Sequence, residues 1–253
     1  MHETSSSKVL LVTGASRGIG AACALAAAGA GWDVGVNYLR DRAAAEGVAD
    51  EVRALGRRAC VLQADVADEG AVEAMFRDLD ARLGPLGGLV INAGIVAPAT
   101  RVDEMSAERV ARVFQVNVVG AFVCAREAVR RMSTRHGGRG GAIVNLSSAA
   151  ARLASPGIYL DYSASKAALD NLTLGLAREV AAEGIRVNGV RPGIIDTEIH
   201  ATSGLLERAQ SQVAQIPMQR MGRADEIARA IVWLLSDDAG YVTGATLDVT
   251  GGR

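Results

Sequence analysis

The passage from Lys8 to Ala30 constrains this chain most. Lys8-Val9-Leu10-Leu11-Val12-Thr13 is an apolar run of strand length, Gly14-Ala15-Ser16-Arg17-Gly18-Ile19-Gly20 follows at once, and an alanine-rich stretch continues to about Ala30. Strand, glycine turn and helix in immediate succession open a crossover unit. Glycines stand where a backbone turns tightly and lets a pyrophosphate approach, and the helix N-terminus beyond supplies amide donors and partial positive charge. The spacing is Gly-x3-Gly-x-Gly rather than the Gly-x-Gly-x2-Gly of the commonest dinucleotide fingerprint. A glycine cluster alone is equally a plain turn; its place at the head of an alternating chain favours a nucleotide cradle.

The alternation continues. Asp33 to Tyr38 reads as a second strand, and the alanine- and glutamate-rich stretch to Leu55 as a helix capped by Gly56. Ala59 to Ala64 makes a third strand ending at Asp65, followed by a helix from Glu69 to Leu83 and a fourth strand, Leu89-Val90-Ile91. That strand runs into Asn92-Ala93-Gly94, small residues suited to a close-packed turn or to backbone contact with a nucleotide. Ser106 is the N-cap of one long helix predicted over Ala107–Met132, and Ser133 to Gly141 reads as a flexible surface loop. Ala142 to Leu146, Ile185 to Val190 and Ala245 to Val249 complete seven strands, with a clear helix at Ala224–Leu235. The pattern predicts a single α/β domain, a doubly wound, Rossmann-type, seven-stranded parallel sheet with helices on both faces. Residues 1–7 read as a disordered polar tail, and 197–215, where periodicity fades, as a mobile substrate lid.

Composition excludes other classes. Lys plus Arg (27) nearly balances Asp plus Glu (28), so no global field recruits nucleic acid or an anionic membrane. No apolar run approaches the roughly 20 residues that span a bilayer, and the polar N-terminus has no secretory pattern, so the expected location is the cytoplasm. Cys23, Cys60 and Cys124 are separate thiols in apolar contexts, and neither they nor His2, His136 and His200 have metal-ligand spacing, so no metal is expected. No Gly-x-Ser-x-Gly elbow marks a serine hydrolase.

Chemistry concentrates between Ser147 and Lys166. Apolar residues at helical spacing follow Tyr162, so Tyr162 and Lys166 lie one turn apart on one helix face. A phenol titrates near 10; an ammonium about 5–6 Å away stabilises the phenolate and lowers that value. Ser147-Ser148 ends the strand Ala142 to Leu146, putting a hydroxyl at a strand's carboxyl end, where open α/β sheets build sites. Taken alone, the Tyr–Lys pair also reads as an ordinary exposed pair. Asn117, set between Val116 and Val118 in the long helix, is either a satisfied core amide or an anchor for a water.

Nearly the whole chain resembles the short-chain dehydrogenase/reductase family. Thr13 to Gly20 is similar to that family's cofactor turn, Asn92-Ala93-Gly94 to its fourth-strand motif, Asn117 to its helix asparagine, and Ser148 with Tyr162-x3-Lys166 to its catalytic set. The likeness is greatest to the glucose 1-dehydrogenase-like and 3-oxoacyl-reductase-like group. It implies a nicotinamide-dependent oxidoreductase that interconverts an alcohol, secondary or on a sugar, and a carbonyl. Tyr162 would be the acid/base, Ser148 would polarise the carbonyl, Lys166 would lower the tyrosine pKa and hold the ribose, and Asn117 would anchor a relay water. The implied cofactor set is Gly14, Ser16, Arg17, Gly18, Ile19, Gly20, Tyr38, Arg40, Asp65, Val66, Asn92, Ala93, Gly94, Tyr162, Lys166, Pro192, Gly193, Ile195 and Thr197. A homotetramer acting on a small carbonyl or alcohol is also implied. The alternative is a non-catalytic dinucleotide-binding regulator, whose mark would be a broken catalytic set; this set is complete. One departure is an extra residue between Ser148 and Tyr162, in the loop Ala149 to Asp161. Asp161 itself reads as a solvated loop acid or a substrate contact.

Charge at the second strand bears on cofactor choice. A carboxylate at its carboxyl end would bind a ribose 2′-hydroxyl and repel a 2′-phosphate. Asp33 begins that strand, at the wrong end of the sheet, Asp41 comes late, and the far end reads Asn37-Tyr38-Leu39-Arg40. Arg17 and Arg40 are placed to converge on a phosphate. NADP(H) is therefore expected over NAD(H), with dual use as the fallback.

Overall fold

The computed structural model describes residues 8–197 and 213–253. The polar tail and almost all of the expected lid lie outside the described residues. Within them, β1 (Lys8–Val12), α1 (Gly18–Gly29), β2 (Trp32–Tyr38), α2 (Arg42–Ala54), β3 (Ala59–Gln63), α3 (Glu69–Leu83) and β4 (Leu86–Ile91) alternate as the pattern predicts. β5 (Gly141–Leu146), α7 (Leu160–Val180), β6 (Ile185–Pro192), α8 (Ala224–Leu235) and β9 (Thr246–Val249) complete the alternation, with a four-residue α6 (Ala150–Leu153) between β5 and α7. Seven strands form one sheet in the order β3-β2-β1-β4-β5-β6-β9, every pairing parallel. A second, unforeseen pair joins β7 (Ile195–Asp196) to β8 (Gly222–Arg223). Among the described residues no helix is long and apolar enough to cross a membrane.

The two-residue period of a strand divides the core. Val9 and Leu11 pack on the face covered by α3 and α7, whereas Leu10 and Val12 pack on the face covered by α1, α2 and α8. All four are essentially inaccessible, each worth roughly 1.5–3 kcal/mol of burial. Strand order reverses at β1, whose neighbours are β2 and β4, and a doubly wound sheet opens its crevice at that switch. Asp33 lies at the opposite end of the sheet, buried and paired with Arg57 at 2.8 Å and Arg58 at 2.7 Å, so it binds no ribose.

Two local expectations fail. The helix predicted as continuous from Ala107 to Met132 is α4 (Ala107–Phe114), a wide π turn over Gln115–Val119, and α5 (Gly120–Met132). Asn117 sits in the wide turn, and a Cβ at Gly120 would lie 2.6 Å from the Val66 carbonyl oxygen, so tertiary contact decides the register there. The loop Ser133 to Gly141 is no loose excursion. Gly138 and Gly140 donate to the Ser133 and Met132 carbonyls at 2.8 and 2.7 Å, and buried Ser133 hydrogen-bonds Glu183.

Candidate active site

A cleft of about 950 Å³ opens along the carboxyl ends of the strands. Its nucleotide half is built by backbone. Gly14 adopts φ +63°, which side chains disfavour, and its N–H donates to Asn37 Oδ1 at 3.0 Å while the Ala15 N–H donates to the Asn37 carbonyl at 2.7 Å. Asn37 is buried and also donates to the Leu62 and Ala64 carbonyls, tying β1, β2 and β3 at one point. Thr13 Oγ1 accepts from the Asn92 and Ala93 N–H groups at 2.9 and 3.0 Å, and Asn92 Nδ2 donates to the Thr13 and Gly14 carbonyls. Asn92 thus locks the turn from the fourth strand with its side chain.

Of the residues expected to hold the cofactor, all but Gly20 border this cleft. Gly20 is a packing residue: a Cβ there would meet the Gly14 carbonyl oxygen at 2.4 Å and Asn92 Nδ2 at 2.6 Å. Arg17 and Arg40 are exposed on the same cleft. Asp65 borders it too, accepting from the Ala67 N–H and paired with Arg112 at 3.1 Å. Asp41 also borders the cleft, but its carboxylate caps α2 by accepting from the Ala44 N–H at 2.9 Å.

The catalytic half is built by side chains. Ser147 and Ser148 leave β5 in opposite senses: buried Ser147 donates to the Lys166 carbonyl at 3.0 Å, while Ser148 borders the cleft with Tyr162, near enough for its hydroxyl to favour the phenolate. Lys166 is buried and its Nζ donates to the Leu146 carbonyl at 2.7 Å, 5.7 Å from the centre of the Tyr162 ring. The Tyr159 ring stands edge-on to that of Tyr162, centroids 5.3 Å apart. These contacts bring Ser148, Tyr162 and Lys166 together as expected.

The phenol is not lowered as expected. Burial pushes Tyr162 up to about 12, with the Ser148 hydroxyl pulling the other way, and Tyr162 is protonated through the neutral range. Burial pushes Lys166 down to about 8, and the Asp170 carboxylate opposes this. An ammonium anchored to a carbonyl below the ring does less for the phenolate than desolvation does against it.

Asn117 does not border the cleft. Its Oδ1 accepts from the Ile95 N–H at 2.8 Å, and its Nδ2 donates to the Ile95 carbonyl at 2.9 Å and to Ser165 Oγ at 3.0 Å. Its side chain is a tie between segments, closer to the core-amide alternative. Asp161 is neither solvated nor a substrate contact: it is buried and paired with Arg109 at 2.8 Å. The loop from Ala149 to Asp161 contains α6, then left-handed Ala154 and Ser155 at φ 56° and 43°, a conformation costing roughly 1–2 kcal/mol per residue. Arg152 of α6 pairs with Asp248 of β9, which also pairs with Arg191 at 3.3 Å. Asn37 and Arg109 carry no signal of their own in the sequence beyond membership of a strand end or helix.

A glycine turn at the switch point of a doubly wound sheet, facing a serine, a tyrosine and a lysine across one cleft, defines a dinucleotide-binding oxidoreductase class. The family model described as Enoyl-(Acyl carrier protein) reductase matches residues 14–253. An uncharacterized oxidoreductase, YgfF, of Escherichia coli (strain K12) is 54% identical over 97% of this chain and 99% of its own length. The 3-oxoacyl-[acyl-carrier-protein] reductase FabG of Staphylococcus aureus (strain Mu50) is 40% identical over 97% of both chains. The crystal structure of a short chain dehydrogenase from Burkholderia cenocepacia in complex with NADP superposes with a TM-score of 0.89 at 36% identity, covering 97% of both chains. The chain belongs to the short-chain dehydrogenase/reductase family, oxidoreductases that bind a nicotinamide dinucleotide and act on CH–OH groups or the matching carbonyls.

Proposed function

We propose that this chain is an NADP(H)-dependent reductase that converts a carbonyl to a secondary alcohol, with Tyr162 as the proton donor. The observation that carries the reading is the Ser148–Tyr162–Lys166 cluster beside the glycine turn. The nicotinamide, when bound, supplies the hydride. Ser148 holds the substrate oxygen beside the phenol, Tyr162 gives that oxygen its proton, and Lys166 keeps positive charge beneath the ring. A phenol pushed up to about 12 is protonated at neutral pH, the form that a proton donor to a carbonyl oxygen requires.

Preference for the phosphorylated cofactor is supported by Arg17 and Arg40 on one cleft, by Asp41 being engaged as a helix cap and by Asp33 lying at the far end of the sheet. The NADP complex of the Burkholderia cenocepacia relative points the same way. Apolar Val96, Leu153, Pro156 and Ile158 on the cleft wall favour an oxoacyl or other apolar carbonyl over a polyhydroxylated sugar. A homotetramer is supported by exposed Val119 and Phe122 beside and on α5 and Leu247 on β9. We expect NADPH consumption with an acetoacetyl thioester or an aromatic ketone and much less with an aldose. Cofactor binding without turnover on any of the three would instead support a regulator.

A further inference from the structure

Asp161 precedes Tyr162 in the first turn of α7, and its side chain is wholly buried while that of Arg109 is 16% exposed. Arg109 Nε donates to Asp161 Oδ2 at 2.8 Å and Nη2 to Oδ1 at 3.3 Å, a two-pronged pairing, and Nη1 donates to the Pro98 carbonyl at 2.7 Å. The Tyr162 N–H, which has no acceptor within the helix because it falls in the first turn, donates to the same Oδ1 at 2.9 Å. One ion pair therefore ties α4, the segment after β4 and the peptide of Tyr162.

A second tie mirrors it. Ser165 Oγ donates to the Tyr162 carbonyl at 2.7 Å and accepts from Asn117 Nδ2, and Asn117 also holds both peptide groups of Ile95. Arg109 and Asn117, on the same helical stretch, thus reach the same loop at Pro98 and Ile95 and secure the two sides of the Tyr162 backbone. A buried ion pair contributes little net stability, since desolvation offsets attraction, and apolar groups of similar volume often serve as well. Its geometry calls for another use, and its neighbours indicate which.

We infer that the Arg109–Asp161 ion pair is a positioning device for Tyr162, setting the phenol against Ser148 and so governing turnover rather than cofactor binding. The inference rests on the proton-donor reading of Tyr162. Displacement of a reacting group by about 1 Å costs on the order of a hundredfold in rate.

The test uses the full-length protein, NADPH and an acetoacetyl thioester. A lone buried charge destabilises a fold, so the paired change Arg109→Met with Asp161→Leu, which buries no charge, is made beside Asp161→Asn, which keeps an oxygen for the Tyr162 N–H. The paired variant is expected to lose about 10- to 100-fold in kcat with NADPH affinity unchanged, and Asp161→Asn, which breaks the ion pair but keeps an acceptor for the Tyr162 N–H, to lose rate to a smaller extent. In a Tyr162→Phe background the paired change is expected to cost nothing further, because the transferable proton is already gone. A second readout needs no turnover: with only four tyrosines in the chain, 3-fluorotyrosine labelling gives a resolvable ¹⁹F spectrum, with Tyr162 assigned by its loss in Tyr162→Phe. That line should shift or broaden in the paired variant. Wild-type kcat with an unmoved ¹⁹F line, or an equal loss in the Tyr162→Phe background, would overturn the inference. Failure of the proton-donor reading is distinct: Tyr162→Phe would keep its rate while the ¹⁹F line still responded.

Discussion

The two halves of the cleft are held in different ways. At the nucleotide end the binding surface is backbone, and buried Asn37 and Thr13 with half-buried Asn92 fasten that backbone with short, neutral hydrogen bonds across β1, β2, β3 and β4. At the catalytic end the working surface is side chain, and it is fastened by charge: Arg109 with Asp161, and Arg152, Asp248, Arg191 and Asp170 in a chain from α6 to α7. Peptide groups offer one geometry to any nucleotide and leave little to vary. Side chains on two helices and a loop can be retuned without touching the sheet, so specificity belongs at that end.

The sharpest way to break the comparison is to remove the proposed proton donor alone. Tyr162→Phe keeps the ring and the helix, and is expected to lower kcat by about two to four orders of magnitude with NADPH affinity nearly intact, measured by turnover and by cofactor fluorescence titration. Near wild-type turnover would remove Tyr162 from the mechanism. The converse change acts on the nucleotide end. Arg17→Ala and Arg40→Ala are each expected to lower kcat/KM for NADPH by roughly 10- to 100-fold, the worth of a charge-assisted hydrogen bond of about 1.5–3 kcal/mol, while values for NADH hold or rise. A wild-type preference for NADH would overturn the charge argument.

A smaller effect distinguishes the two titrating groups. On the proposed mechanism, reduction needs the phenol protonated and Lys166 charged. The phenol stays protonated up to about 12, whereas Lys166, held down near 8 by burial, loses its charge first. The reduction rate should therefore be full below about 8 and fall as pH rises through it, by about tenfold between pH 7 and 9. A flat profile over that interval would show that Lys166 titrates elsewhere or that its charge is dispensable. The least effect on chemistry and the clearest on folding is Gly20→Ala, whose methyl would press on the Gly14 carbonyl and Asn92. Overpacking there should cost about 1–3 kcal/mol and lower Tm by several degrees, with kcat at saturating NADPH little changed.

The architecture was legible because it rests on periodicities that short windows contain. Apolar runs of strand length alternating with helical patterns led to a parallel doubly wound sheet, and the predicted bounds of α3 and α8 agree with those observed. The membership of the cleft was legible too, since strand ends must meet at the switch point whatever their side chains do: Ser148, Tyr162 and Lys166 converge there with Gly14, Arg17 and Arg40. The electrostatics were not legible. Helical spacing places Lys166 beneath Tyr162, but only the packed structure shows desolvation outweighing that neighbour and leaving the phenol high. Nor does spacing reveal that Arg109 and Asp161 meet, far apart in sequence as they are, because their partnership depends on how α4 and α7 pack beside each other. The break at Asn117 has the same origin, its amide drawn to Ile95 and Ser165. Local sequence determined the elements and their order, for hydrophobic period and glycine placement act within a few residues. Tertiary structure alone decided protonation and the ties between segments, because desolvation and ion pairing depend on groups that the chain brings together only when folded.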